Sequence, residues 1–144
     1  VFQIMAAGYV PLVTHPERLV WIEDHYPTFV RLAERGAWMQ LTAGAITGRF
    51  GKRARYWSDR FLDDGLVAVV ASDAHNTKAR NPRMDAAVER LIECAGKDEA
   101  RRMVLGRPQA ILNNLEPGAV PAVPGLAEAK AKAARKPWYR RLFA

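Results

Sequence analysis

The sequence predicts an α/β fold built on a parallel sheet, and three observations predict it. The first is Val67-Ala68-Val69-Val70-Ala71-Ser72-Asp73-Ala74-His75-Asn76, an apolar run that ends abruptly in an aspartate, a spacer and a histidine. A short run of small and branched apolar residues reads as a strand buried on both faces. The second is a segment of the same build, Val10-Pro11-Leu12-Val13-Thr14, followed by His15-Pro16-Glu17-Arg18. The third is the order of elements, β-α-β-α-β-α, with connections of ordinary length. That order describes half of a barrel or a small parallel sheet.

Taken along the chain, Val1–Gly8 reads as a short helix closed by Gly8, and Tyr9–Thr14 as the first strand. The chain opens on an apolar stretch with no methionine, which suggests a start within a fold or an alternative start codon written out literally. A helix is expected from about Pro27, proline being tolerated at a first helical position, with Phe29, Val30, Leu32 and Ala33 on its apolar face. Gly36 ends it, and Ala37–Thr42 forms the second strand. The glycine-bearing loop Thr42–Gly51 leads into a helix over about Lys52–Asp64, with Ala54, Trp57, Phe61 and Leu62 at helical spacing. Gly65 stops that helix before the third strand, Leu66–Ser72. Asn81-Pro82 reads as an N-cap and first-turn pair for a helix carrying Met84, Ala87, Val88, Leu91, Ile92 and Ala95 on one face. Two shorter helices, Asp98–Leu105 and Pro108–Leu115, complete a domain over residues 1–115.

From Glu116 the composition changes. Prolines 117, 121 and 124 with Gly118 and Gly125 read as a linker, followed by an Ala/Lys stretch over Ala127–Arg135 and a basic-aromatic end, Lys136–Phe143. Residues 116–144 are therefore expected to form a linker and a disordered basic tail. The net charge of +7 divides accordingly. Residues 1–115 hold 16 Lys+Arg against 13 Asp+Glu, and residues 116–144 hold 6 against 2. Charge concentrated in a tail argues against a nucleic-acid-binding face on the globular part. The tail has two readings, a solvated end or a weak contact with an anionic membrane surface. A single cysteine permits no internal disulfide and suits a reducing cytoplasm, and no apolar run is long enough to span a bilayer.

The chemistry gathers at the strand ends. If Asp73 and His75 continue an extended backbone, their side chains point to one side. Together with His15 they offer oxygen and nitrogen donors without thiolate, a set suited to Mn²⁺, Fe or Zn²⁺. Arg18 and Arg80 flank them. Each reads either as a surface charge paired with a neighbour such as Glu17 or Asp85, or as a guanidinium fork for phosphate. His25 has no ligand-like neighbours beyond Glu23 and Asp24 and is read as structural. Gln40, mid-strand among apolar residues, needs a polar partner if its side chain faces inward. Cys94 lies one residue too far from Arg101 for a Cys-x5-Arg phosphatase loop and is read as inert. No Gly-x-Ser-x-Gly elbow is present, and the Thr42–Gly51 loop lacks P-loop spacing.

The series "HPER", "QLTAGAITGRFG" and "ASDAHN" followed by "RNP" resembles the polymerase-and-histidinol-phosphatase (PHP) superfamily. Within it, the chain is most similar to the bacterial capsule and exopolysaccharide tyrosine-protein phosphatases. The resemblance covers about residues 1–115. It implies the carboxyl-terminal part of a distorted (β/α)7 barrel, with about three parallel strands and their helices. It also implies a manganese-dependent site, with Fe or Zn²⁺ as alternatives, in which His15, Asp73 and His75 bind metal while Arg18 and Arg80 grip phosphate. The implied reaction is hydrolysis of phosphotyrosine by metal-activated water. The implied partner is the tyrosine-rich tail of a bacterial kinase that controls polysaccharide export, which sets the expected place as the cytoplasm, with a possible periphery at the inner membrane.

The chain departs from the family pattern in two ways. The family's His-x-His motif and its further acidic and histidine ligands do not occur in the sequence, and Ala45 stands where many relatives have serine. The expectation is therefore a carboxyl-terminal half that binds metal weakly and turns over little by itself. Two other functions remain open: a PHP phosphatase of a small molecule such as histidinol phosphate, and a non-catalytic remnant or interaction module.

Overall fold

The computed structural model describes residues 1–78, 80–125, 127–129 and 131. Most of the Ala127–Arg135 stretch and all of the basic-aromatic end lie outside the described residues. Strands β1 (Leu12–Thr14), β2 (Trp38–Thr42) and β3 (Val67–Ala71) pair in parallel in the order β1-β2-β3. Each strand is shorter than its apolar run. Tyr9 to Pro11 fall outside β1, where Pro11 has no N–H to give a ladder, although its carbonyl still accepts the Trp38 N–H at 2.9 Å. The register sets Thr14 opposite Gln40 and Thr42 opposite Ala71, so the three carboxyl ends stand side by side.

Helix α1 (Phe2–Ala6) precedes the sheet and buries none of its residues. Helix α2 (Ile22–Glu34) begins well before Pro27, which sits inside it. Ile22, Tyr26 and Phe29, all buried, recur at helical spacing. Their burial outweighs the one hydrogen bond that proline omits. Helix α3 (Ala43–Ile46) is a single buried turn directly after β2. In α4 (Lys52–Asp63), the expected face of Ala54, Trp57, Phe61 and Leu62 is buried. Helix α5 (Asp85–Ala95) starts later than the Asn81-Pro82 pair predicts. Asn81 Oδ1 caps the Arg83 N–H at 3.4 Å instead, and Arg83 pairs with Asp85 at 2.7 Å. Ala87 and Leu91 face the core, whereas Ile92 is 43% exposed. The two short helices expected next are one continuous run: α6 (Lys97–Arg101), a π-helical segment (Arg102–Gly106) and α7 (Arg107–Leu112). Pro108 lies inside this run, directly after the π-helical segment, and leaves one main-chain carbonyl of the preceding turn without its usual N–H.

The core lies between the sheet and α2, α4 and α5, with Met39, Leu41, Phe61, Val67 and Leu91 at most 0% exposed. Tyr26 meets Phe61 edge-on and Trp57 at a tilt, with ring centroids 5.0 and 5.2 Å away. Its hydroxyl donates to Asp64 Oδ2 at 2.7 Å, and burial beside that carboxylate pushes the phenol above its ordinary range.

β2 and β3 shift register between Met39 and Gln40, which pair with Val67 and Val69. Ala68 is the extra residue, and a bulged residue leaves main-chain groups without ladder partners. Arg107, 0% exposed, takes up that carbonyl: its Nη1 donates to Ala68 O at 3.2 Å. The same guanidinium donates to Glu99 Oε1 at 2.7 Å, to Pro121 O at 2.8 Å and to Ala122 O. Packing thus runs past the compositional change at Glu116. Val120 is buried, and the Gly125 N–H donates to Gly65 O at 2.9 Å. Gly65 has φ +67°, and a Cβ there would lie 2.9 Å from Gly125 O, so both its backbone and its neighbour require glycine.

Removing one partner of a buried ion pair leaves the other charge uncompensated. Arg107→Met is accordingly expected to lower stability by about 3 kcal/mol, read as a fall in urea midpoint by tryptophan fluorescence. The double variant Arg107→Met/Glu99→Gln is expected to recover part of that loss.

Candidate phosphate and metal cleft

Each outer strand turns sharply as it delivers its functional residues. His15 follows β1 directly in the left-handed conformation, φ 44° and ψ 50°. Its N–H donates to Gln40 O at 2.8 Å, extending the pairing with β2 while the chain turns into a 3-10 segment, Pro16–Arg18. Gln40 thus contributes through its main chain. Beyond β3, Asp73 is also left-handed, φ 51°. The extended run through Asp73 and His75 that the sequence suggests is therefore broken. The side chains still meet, His75 Nε2 lying 3.4 Å from Asp73 Oδ1. Non-glycine residues with positive φ cost energy and persist where surrounding contacts hold them.

Those contacts are local. Asn76 Oδ1 accepts the N–H groups of Lys78 at 2.9 Å and Arg80 at 3.0 Å, while Arg80 O accepts that of His75 at 2.9 Å. The closed loop returns Arg80 beside Asp73, where its Nη2 donates to both Asp73 Oδ2 and Asp73 O. From the other side Arg18 Nη1 donates to the same Oδ2 at 2.7 Å. Neither arginine takes the alternative partner the sequence offered: Asp85 is bound by Arg83, and Glu17 by Thr42.

Glu17 is the site-forming residue that sequence reasoning missed. It is 0% exposed, and its Oε1 accepts the Thr42 N–H at 3.0 Å and the Thr42 hydroxyl at 2.8 Å. These bonds fasten the turn carrying His15 and Arg18 to the end of β2. Oε2 is buried without a hydrogen-bond partner among the described residues, and burial pushes the carboxyl above its ordinary range. A glutamate between proline and arginine reads as a solvated charge; only the buried, hydroxyl-bearing Thr42 could have hinted otherwise.

His15, Arg18, Leu19, Asp73, His75 and Arg80 line one open cleft of about 400 Å³ at the carboxyl ends of the strands, where parallel sheets place ligands. All five residues singled out from the sequence are in it. Two guanidiniums against one carboxylate favour an anion there. For a cation the donors fit in kind, two imidazoles and a carboxylate. They do not complete a set: among the described residues, no three His, Cys, Asp or Glu side chains gather as a metal-binding group. His25 lies apart, exposed and edge-on to Trp21 at 5.4 Å. Cys94 is also remote from the cleft, half-buried, with burial raising its thiol pKa, as an inert thiol requires. Among the described residues no helix is long and apolar enough to cross a membrane.

Comparison with known proteins places this geometry. The sequence model of the family described as "Capsular polysaccharide synthesis, CpsB/CapC" matches residues 1–113. Tyrosine-protein phosphatase YwqE of Bacillus subtilis is 40% identical over 80 residues, 56% of this chain and 32% of that protein. Tyrosine-protein phosphatase CpsB of Streptococcus agalactiae is 31% identical over 120 residues, 77% of this chain and 48% of that protein. A solved structure from work on YwqE of Bacillus subtilis and CpsB of Streptococcus pneumoniae, described as "unique metal-dependent tyrosine phosphatases", superposes with a TM-score of 0.72 at 34% identity. The match covers 79% of this chain and 46% of that one. The chain thus spans a third to a half of the length of these relatives. With a matching family model over most of its length and a matching fold, the chain belongs to the CpsB/CapC capsular polysaccharide synthesis family.

Proposed function

We propose that this chain forms the phosphate-gripping part of a metal-dependent protein-tyrosine phosphatase. The observation that carries the reading is the convergence of Arg18 and Arg80 on Asp73 within a cleft that also holds His15 and His75. The named activities of YwqE and CpsB support it. The guanidiniums would bind the phosphoryl oxygens and stabilise charge as it shifts toward the leaving phenolate. His15, Asp73 and His75 would contribute to holding a divalent cation, Mn²⁺ by preference, with Fe or Zn²⁺ as alternatives. When bound, that ion supplies Lewis-acid charge stabilisation and lowers the pKa of water.

The remaining ligands would come from a barrel segment bearing the His-x-His motif, the distorted (β/α)7 PHP barrel being the proposed complete fold. Among the described residues β1 is the outer strand with nothing paired on its far side, and Tyr9 and Leu12 are exposed beside it. The proposed substrate is the phosphotyrosine tail of a kinase of capsule or exopolysaccharide export, met at the cytoplasmic face of the membrane.

The deciding assay is hydrolysis of p-nitrophenyl phosphate and a phosphotyrosine peptide with added Mn²⁺. It is run on the 144-residue chain and on a form carrying a His-x-His strand upstream. Turnover is expected in the extended form, abolished by EDTA and restored by Mn²⁺, with little in the shorter one. Silence in both forms overturns the reading in favour of a binding module.

In the active form, Arg18→Ala and Arg80→Ala are each expected to lower kcat/KM about 100-fold, the scale of losing one transition-state donor. Lysine at either position keeps a charge but not the fork. It should therefore restore only part of the loss, measured in the same steady-state assay.

A further inference from the structure

Arg18 touches a third group besides Asp73 and the cleft. Its Cζ lies 4.8 Å from the centroid of the Phe50 ring, over the face. Arg49 approaches the same ring at 5.4 Å. The ring itself is seated on backbone. A Cβ at Gly44 would lie 2.6 Å from Phe50 Cζ and 2.7 Å from Cε2, a separation that no side chain at that position permits. The Phe50 N–H donates to Gly44 O at 3.0 Å, closing the loop that holds ring and seat together.

We infer that Phe50, seated on Gly44, is a positioning residue for Arg18: its ring holds the guanidinium in place at the cleft. Three physical points carry this. The Arg18 side chain is 35% exposed, and an arginine so exposed ordinarily samples many rotamers. A ring beneath the guanidinium restricts them through attraction to the aromatic face. A contact with the ring face leaves the Arg18 Nη1 donation to Asp73 in place, so the fork stays available to Asp73 or to an anion. The segment after Arg18 is fixed as well, because Arg53 donates to Leu19 O at 3.0 Å and Val20 O at 2.6 Å. Backbone and side chain of Arg18 are thus held from separate directions, by Arg53 and Glu17 below and by Phe50 at the tip.

The inference rests on the phosphatase reading only for what Arg18 grips, so its test has a readout free of turnover. Arginine Nε–Hε resonances are recorded on the 144-residue chain, Arg18 being assigned by its loss in Arg18→Lys. Phosphotyrosine is then titrated into each variant. Phe50→Leu and Gly44→Ala are expected to move the Arg18 resonance toward its unstacked position, while Phe50→Trp keeps it displaced by ring current. Phe50→Leu is expected to weaken phosphotyrosine about three-fold, the scale of an exposed cation–π contact. Phe50→Trp should leave the affinity near wild type, and Phe50→Leu should have no effect in an Arg18→Lys background.

An Arg18 resonance that ignores Phe50→Leu overturns the inference, as does an equal loss of affinity in the Arg18→Lys background. A wild-type chain that binds no phosphotyrosine, while the Arg18 resonance still responds to Phe50, removes the phosphate role and leaves the positioning intact.

Discussion

The buried guanidinium of Arg107 is the interaction on which the rest of this fold depends. A charge taken wholly out of water is costly unless its donors are filled. Here they are filled by one carboxylate and three carbonyls drawn from different parts of the chain. Glu99 supplies the opposite charge from α6, about two turns upstream on the same continuous helical run. Ala68 supplies the carbonyl left over by the bulge in β3, and Pro121 and Ala122 come from the segment that follows α7. One side chain thereby ties an edge strand, its covering helix and the returning chain together. The bulge itself matters to the site, since the register beyond it is what sets Ala71 opposite Thr42.

From that register the cleft follows by short steps. Thr42, at the end of β2, holds Glu17, and Glu17 fixes the turn that presents His15 and Arg18. Two residues beyond β3, Asp73 turns back in a left-handed conformation and Asn76 closes the loop that brings Arg80 round. Of the three described non-glycine residues with positive φ, His15 and Asp73 lie in the cleft and are both proposed cation ligands, while Asn114 lies beyond α7. Backbone strain collected at a site, with its contacts over-determined nearby, is the pattern of a pre-organised constellation.

Much of this was legible in the sequence, for identifiable reasons. Apolar runs ending in polar residues marked the strands, and helical spacing marked the buried face of α4. The five cleft residues could be singled out because each stands just beyond a strand or in the loop that follows one. What could not be read was set by tertiary packing. Pro27 pointed to a helix start, but the burial of Ile22 and Tyr26 carried α2 five residues further back. Asn81-Pro82 looked like a cap, yet the loop closing on Arg80 and the pairing of Arg83 with Asp85 delay α5. Glu17 reads in the sequence only as a partner for Arg18, and nothing local to Glu17 or Arg107 announces a partner distant in sequence. Phe50 sat in a loop noticed only for its glycines, and Gly44 has its meaning only once the ring lies against it.

The carboxylate of Asp73 is divided between two kinds of neighbour. Both guanidiniums are gathered on Oδ2, whereas Oδ1 faces the imidazole of His75. An arginine face and an imidazole face thus meet across a single carboxylate. Were both arginines mobile, such a carboxylate could be bridged in many ways, and the division would blur. Arg80 is held by a closed loop and by Asp73's own main chain, and Arg18 by Glu17 behind its turn and Phe50 at its tip. The separation of the arginine side from the imidazole side therefore rests in part on contacts outside the cleft. That is why Glu17 and Phe50, neither of which lines the cleft, matter to how Arg18 meets Asp73.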